Sequence, residues 1–460
     1  MSSRALKNFN LLLYSVLCLC FIDVVFYNSY YFIFFSLLIV FTLLILYFYL
    51  SITPNVENSL TFLILTISFY SFTIAPYSKY LEEGAFFVLG PLIFFALAII
   101  FSGTRKCENL INFTFFDKIL ITLTFITLLL SNSLFNPEEL SEPQGILKMI
   151  CMGGGMILFS YYFSSYLYMN ENILILFLKL ILYVGILTAI YGILTLFSIS
   201  FNPVNEYGYA ISFFKHPNAT PSMYSFSIPI TVWFLIFRYD KINVLEKIIF
   251  TSGLILSLVA LLFTFSRFSI ITIFISILIL VYNYSKKLFF TVSIVSLISS
   301  TFVIANFFST KGSATILGRI GLLETTFEMF NDTTKFLFGY GSVSTRIVFE
   351  KIKFMLGVTD PNNNPHNIIL FAVLLHGIIF AAALFTLFFK YFFKSVKSFF
   401  KGRVSDIFLL SLSICSGLFL KNMAEDLLFF PEFFMWYLFL TFFGFLVIEE
   451  TKSTPNINNN

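Results

Sequence analysis

The 460-residue chain is short of charge. Asp, Glu, Lys and Arg together make up 11% of it, against roughly 25% in an ordinary soluble domain. That shortage excludes a soluble globular protein, and no nucleic-acid partner is expected. Histidine is scarcer still, at three residues, and cysteine has five. Cys18, Cys20, Cys107, Cys151 and Cys415 are scattered and lie mostly within apolar stretches, so they form neither a disulfide framework nor a zinc spacing. The glycine-rich stretch FGYGSVS (338–344) can make a tight turn but lacks a phosphate-loop pattern and any following Lys-Ser/Thr, which excludes a nucleotide site. DPNNNPHN (360–367) begins like a calcium loop, with Asp360, Asn362 and Asn364. It then has Pro365 where glycine is needed and Phe371 where glutamate is needed, so the calcium reading fails. No metal and no cofactor is expected. There is also no internal repeat, whereas many transporters are built from repeats around a mid-membrane site.

What fills the chain instead is apolar. Hydrophobic residues reach 58%, with 66 phenylalanines, and the mean hydropathy is +0.91. Apolar runs of about 18 residues or more recur from end to end, as spanning helices require. They fall near 11–28, 30–50, 60–76, 84–102, 118–134, 146–168, 173–199, 221–238, 248–263, 268–284, 288–308, 366–390, 405–423 and 430–448. The first run follows Arg4 and Lys7 but lacks a small-x-small cleavage site, and a second run follows almost at once, so it reads as a retained span. The expected fold is therefore an all-α polytopic membrane protein of about 12–14 transmembrane helices, with one long loop containing short amphipathic helices.

Sidedness follows from Lys and Arg, which concentrate in cytoplasmic connections. Connections after even-numbered segments hold Arg105, Lys106 and Lys118, then Arg238, Lys241 and Lys247, then Lys286 and Lys287, then Lys390, Lys394, Lys397, Lys401 and Arg403. Those after odd-numbered segments, such as NPEELSEPQ (136–144) and AEDLLFFPE (424–432), are acidic or neutral. Both termini are expected in the cytoplasm. One connection, 309–365, is long and lies on the outer side; it carries basic residues against the trend, which long loops can do.

Four polar places lie on that outer side: Lys215 and His216 in FFKHPNATP (213–221), Arg267 in FTFSRFS (263–269), Arg319 in GRIGLLETTFEMF (318–330), and His366 in NNNPHN (362–367). A charge at mid-bilayer costs about 2.5–3.5 kcal/mol and is usually functional. Arg267 is thus either an interfacial anchor that snorkels or a phosphate ligand, since a guanidinium grips phosphate through a bidentate fork. From Arg319, the residues Ile320, Leu323, Phe327 and Phe330 fall on one helix face, with Glu324, Glu328 and Asp332 off it. Such a helix would lie flat on the outer membrane surface, with Arg319 at its start. His366, at a span start, is either a helix-start polar residue or a base for a hydroxyl proton, since an ordinary imidazole has a pKa near 6.5. His376 lies about 15 Å further along the same helix, so the two cannot share a metal, and it reads as a packed residue.

These places, in this order, resemble the O-antigen ligase and polymerase family of bacterial inner membranes. The resemblance rests on His216-Pro217-Asn218 before a span and Ser266-Arg267 after one. It continues through Gly318-Arg319 opening the large loop, the Gly339–Gly341 turn, His366-Asn367 closing it, and Gly377-Ile378 downstream. It covers roughly residues 200 to 390. Departures are Phe268 where a small residue is usual, His376 where an acidic or aromatic one is frequent, and Leu323 near an expected aromatic. Family members are metal-independent glycosyltransferases that move a glycan from undecaprenyl diphosphate to an acceptor hydroxyl at the periplasmic face. The resemblance implies His366 as the base or acceptor-positioning residue, with Arg267, Arg319 and Lys215 on the diphosphate. His216, Asn218 and Asn367 become possible substrate contacts. Partners would be the undecaprenyl-diphosphate-linked glycan, membrane lipid, and either lipid A–core or a second lipid-linked glycan as acceptor. The first acceptor makes a ligase, which the Ser-Arg and His-Asn arrangement favours, and the second a polymerase. A flippase for the same lipid is the reading from another class. The expected organisation is 1–200 as N-terminal transmembrane helices, 201–390 as the catalytic region with its periplasmic loop 309–365, 391–449 as C-terminal transmembrane helices, and 450–460 as a disordered tail.

Overall fold

The computed structural model describes residues 110–111, 113–136, 149, 152–197, 219–264, 266–282, 284–307, 310–341, 344–360, 364–402, 404–424 and 434–452. The first four apolar segments, the 453–460 tail and the candidate residues Lys215, His216 and Asn218 lie outside them. Every regular element among the described residues is helical. Helix α1 is Phe115–Ser133; a π-helical stretch, Leu158–Phe163, runs into α2 (Ser164–Met169), and α3 is Glu171–Phe197. Then come α4 (Ala219–Phe237), α5 (Val244–Phe263), α6 (Arg267–Tyr282) and α7 (Lys286–Phe307). The long loop folds as α8 (Thr310–Met329), α9 (Thr333–Phe338) and α10 (Ser344–Met355). The chain returns through α11 (Ile368–Phe400), α12 (Asp406–Asn422) and α13 (Phe434–Lys452).

Among the described residues five helices are long and apolar enough to cross a membrane: Phe115–Ser133, Glu171–Ile190, Thr220–Phe237, Val244–Phe263 and Ile368–Phe400. This is a multi-pass membrane protein. Helix α4 is its axis: α3, α5, α6 and α12 all pack on it, and every residue from Thr220 to Phe234 is buried. Pro221 is harmless in its first turn, where the N–H has no intrahelical partner, and Pro229 is accommodated in the interior. Lipid gives helices no hydrophobic reason to associate, so close approach of backbones must hold them together. Gly417 of α12 faces Ser276 of α6, where a Cβ would collide with the hydroxyl. The hydroxyl of Ser276 donates to the Ser413 carbonyl at 2.9 Å and that of Ser413 returns to the Ser276 carbonyl at 2.8 Å. Such interhelical bonds contribute about 0.6 kcal/mol each.

The bundle has two unlike ends. At the basic end, Lys390 meets Asp117 at 2.5 Å and Arg238 bridges Glu171 (2.6 Å) and Asp406 (2.9 Å). There too the Tyr168 hydroxyl and the Ser405 hydroxyl both donate to Glu449. Polar caps start the helices here: Thr114 with Asp117 for α1, Asn243 with Glu246 for α5, and Ser405 for α12. Helix α11 is 33 residues long, about 50 Å, so Lys390, Lys394 and Lys397 ride on its last turns rather than in a free connection.

The opposite, loop end carries α8 to α10. They share a small core of their own, Leu322, Met329, Tyr340 and Phe349, which meets α11 at Leu374. Two expectations change here. Helix α8 begins at Thr310, so Arg319 sits in its middle and its N-terminal partial charge does not act on that residue. Gly318 is no helix boundary: it makes room for Asp360, whose Oδ2 would lie 2.5 Å from a Cβ there. Gly321, Leu322, Thr325, Thr326 and Met329 turn inward, while Ile320, Leu323 and Phe327 remain exposed, as a helix lying against lipid would leave them.

Candidate active site at the loop end

The turn that presents Arg267 is held by hydroxyls. Thr264 donates its hydroxyl to the Leu261 carbonyl at 2.7 Å, the Ser266 N–H donates to Thr264 Oγ1 at 3.3 Å, and the Ser266 and Ser269 hydroxyls are 2.7 Å apart. Arg267 is the half-buried first residue of α6. Its guanidinium charge and the partial positive charge of the helix start act in the same direction, which suits an anion.

The large loop brings its own cation to this turn. The Arg319 guanidinium lies over the ring of Phe268, 5.4 Å from its centroid. Phe268 is the contact that joins two of the four polar places. Helix α8 is fixed behind Arg319 by Asp360 against Gly318 and by Val358 against Gly321. Lys353 donates to the Asp360 carbonyl at 2.7 Å. Tyr340 closes this module, donating its hydroxyl to the Met329 carbonyl at 2.7 Å. Burial, reinforced by the Asp332 charge, pushes its phenol up to about 12, so it remains a donor at any physiological pH.

His366 precedes α11 in the left-handed region, at φ 50°, half-buried after the buried Pro365. Asn367 is the cap: its Oδ1 accepts from the N–H groups of Ile369 and Leu370 at 3.1 Å each, and its Nδ2 donates to the Met423 carbonyl at 3.0 Å. His366 is therefore held between a buried proline and a residue tied at once to α11 and to the end of α12. His376 is not part of this group. It is buried and packs on Phe380, with ring centroids 4.7 Å apart.

Sequence reading missed two features. One is a break in α11 at Gly377, which has φ 86°. The freed carbonyls of Leu374 and Leu375 accept from the N–H groups of Tyr340 (2.7 Å) and Gly341 (3.0 Å). The Gly-x-Gly turn thus docks into the broken helix, and a Cβ on Gly339 or Gly377 would strike the facing backbone. Asn136 donates to the Gly339 carbonyl at 3.2 Å, and Lys335 reaches Asn136 Oδ1 at 2.6 Å, so α1 clamps the same turn. Only the pairing of two glycine motifs 36 residues apart (377 minus 341) could have signalled it.

The other is Lys421 on the last turn of α12, fully buried, donating to the Ser222 hydroxyl on the first turn of α4. Its signal was a lysine at the outer end of an apolar segment, which also fits a snorkelling anchor.

Residues 252–392, from α5 to α11, match the family model described as O-Antigen ligase. The matched segment contains Arg267, Arg319, His366 and both glycine motifs. No curated protein and no solved structure matches the chain.

Proposed function

We propose, from the O-antigen ligase family domain at residues 252–392, that this membrane enzyme transfers a glycan from undecaprenyl diphosphate to the lipid A–core of lipopolysaccharide. The observation that carries the reading is the Arg319–Phe268 contact, which sets the loop's cation beside the turn bearing Arg267. Two guanidiniums so placed suit a diphosphate, whose departure becomes easy once its charge is neutralised; positioned donors of this kind are worth about 10²–10³-fold each.

In this reading His366 takes the proton from the acceptor hydroxyl, and the resulting oxygen attacks the anomeric carbon of the glycan. The bond from that carbon to the diphosphate breaks, and undecaprenyl diphosphate leaves with its negative charge on Arg267 and Arg319. A base so placed contributes about 10²–10⁴-fold. Lys215 is proposed as a further diphosphate contact, and His216, Asn218 and Asn367 as contacts to substrate. The loop end faces the periplasm, because the opposite end gathers the basic connections. A lipid-tethered donor needs its site at the membrane surface, which accounts for Arg267 and His366 lying at helix starts.

The test is a lipopolysaccharide gel from a deletion strain complemented with wild type or with His366→Ala. Bare core, with polymerised glycan still on its lipid carrier, is expected for the deletion and for the variant. Core bearing a single repeat unit would instead identify a polymerase. Unchanged lipopolysaccharide from a strain carrying both His366→Ala and Arg267→Ala would remove catalysis from the account and leave a transporter.

A further inference from the structure

Helix α12 packs against α6 along its length and is tied at its last turn to the starts of α4 and α11. Lys421 holds the first turn of α4 through Ser222. Two residues on, the Met423 carbonyl holds Asn367, which caps α11 beside His366. Lower down, Ser413 and Ser276 lock α12 to α6, the helix that begins with Arg267. The ammonium at this junction is buried completely. A methionine would fill nearly the same volume without the desolvation cost of a charge, so packing alone does not call for an amine here.

We propose that Lys421 is a positioning residue for glycan transfer. Through Ser222 it fixes the start of α4 against α12, and so fixes α4 relative to the capped start of α11 on which His366 is carried. Enclosed by protein, it acts through these neighbours and not on the substrate. The inference rests on the glycan-transfer reading above. It adds a residue beyond the 252–392 segment, drawn from the geometry of α4, α11 and α12.

The experiment compares wild type, Lys421→Met, Lys421→Arg and Ser222→Ala, purified in detergent and assayed with an undecaprenyl-diphosphate-linked glycan and lipid A–core. Lys421→Met is expected to elute and melt as wild type and to lose about 10- to 100-fold in kcat, the scale of a small misplacement of reacting groups. Its KM for the donor should stay within about twofold, as for a loss confined to the transition state. Lys421→Arg should recover most of the loss, because it restores a donor. Hydrogen exchange at Ala219–Tyr224 and at Ile368–Phe371 should quicken in the methionine variant.

Wild-type kcat in a folded Lys421→Met protein, or exchange unchanged in both segments, overturns the inference. So does a loss that appears in KM alone, which would put Lys421 on the donor. If Lys421→Met fails to fold, Ser222→Ala decides: reduced kcat supports the positioning role and wild-type kcat overturns it. A wild-type protein that transfers no glycan defeats the parent reading, whereas a wild type that transfers and a methionine variant that matches it defeat this inference alone.

Discussion

At the scale of single residues, the proposed site depends on how two arginines are held. Arg319 rests on Phe268, and a cation–π contact of this kind contributes about 0.5–2 kcal/mol. Phe268→Ala should therefore lower transfer by roughly 2- to 30-fold, less than the roughly 10²-fold or greater loss expected for Arg319→Ala. Phe268→Tyr should keep nearly full activity, and initial rates with a lipid-linked donor check the order of the three. Tyr340 offers a separate test of the loop module. Removing its hydroxyl in Tyr340→Phe leaves the Met329 carbonyl without that donor, at a cost of about 1 kcal/mol. Because its folded pKa is raised to about 12 from an ordinary value near 10, the stabilisation is fully present below pH 10 and disappears only as the pH climbs towards 12. Wild-type protection of α8–α10 in hydrogen exchange, corrected for the intrinsic rate, should then be flat from pH 6 to pH 9. Arg267, Arg319 and His366 could be proposed from sequence alone, since scarce polar residues at the ends of apolar runs stand out. Their holders could not. Phe268 is one phenylalanine among 66, and nothing local marks it as the ring beneath an arginine fifty-one residues on (319 minus 268).

At the scale of elements, the break in α11 couples the loop to the bundle. Its freed carbonyls are satisfied by the Gly339–Gly341 turn rather than by helix, which meets the requirement that backbone polar groups buried in a membrane protein find partners. Gly377→Ala puts a Cβ into the Leu337 carbonyl and a side chain at φ 86°, where backbone strain alone costs about 1–3 kcal/mol. The expected result is a lower melting temperature, with faster proteolysis of the 310–360 segment while the basic end keeps its protection. Among the described residues helix positions were readable from apolar length, and a helix running on from Arg319 was readable from spacing, although Leu322 and Met329 rather than Ile320, Leu323 and Phe327 face the loop's core. The true start of that helix was not, because Gly318 looks like a boundary when its partner Asp360 is out of view. The break was hidden for the same reason: IILFAVLLHGIIF reads as one uninterrupted apolar run, and only the docking turn makes Gly377 non-helical.

At the scale of the whole molecule, the two ends of the bundle have different chemistry. Acid–base pairs close the basic end, while Arg267, Arg319, His366 and the glycine turn gather at the loop end. The proposed orientation predicts that a cysteine placed at exposed Glu350, in the loop, reacts with an impermeant maleimide in intact spheroplasts. One placed at exposed Lys401 should react only after lysis, with the five native cysteines replaced in both proteins. The membrane class was legible because it is a sum over many residues, whereas the junction at Lys421 depends on three helices meeting. In the proposed reaction the loop end takes the glycan off its lipid carrier, breaking the bond from the anomeric carbon to the diphosphate and leaving undecaprenyl diphosphate whole. Release of undecaprenyl diphosphate can be followed with purified protein in liposomes supplied with an undecaprenyl-diphosphate-linked glycan and lipid A–core. Wild type should release one undecaprenyl diphosphate per glycan transferred, and release by Arg267→Ala, Arg319→Ala and His366→Ala should fall by about 10²-fold or more. Equal release by all four proteins, or glycan crossing the bilayer with its diphosphate intact, would contradict that reaction.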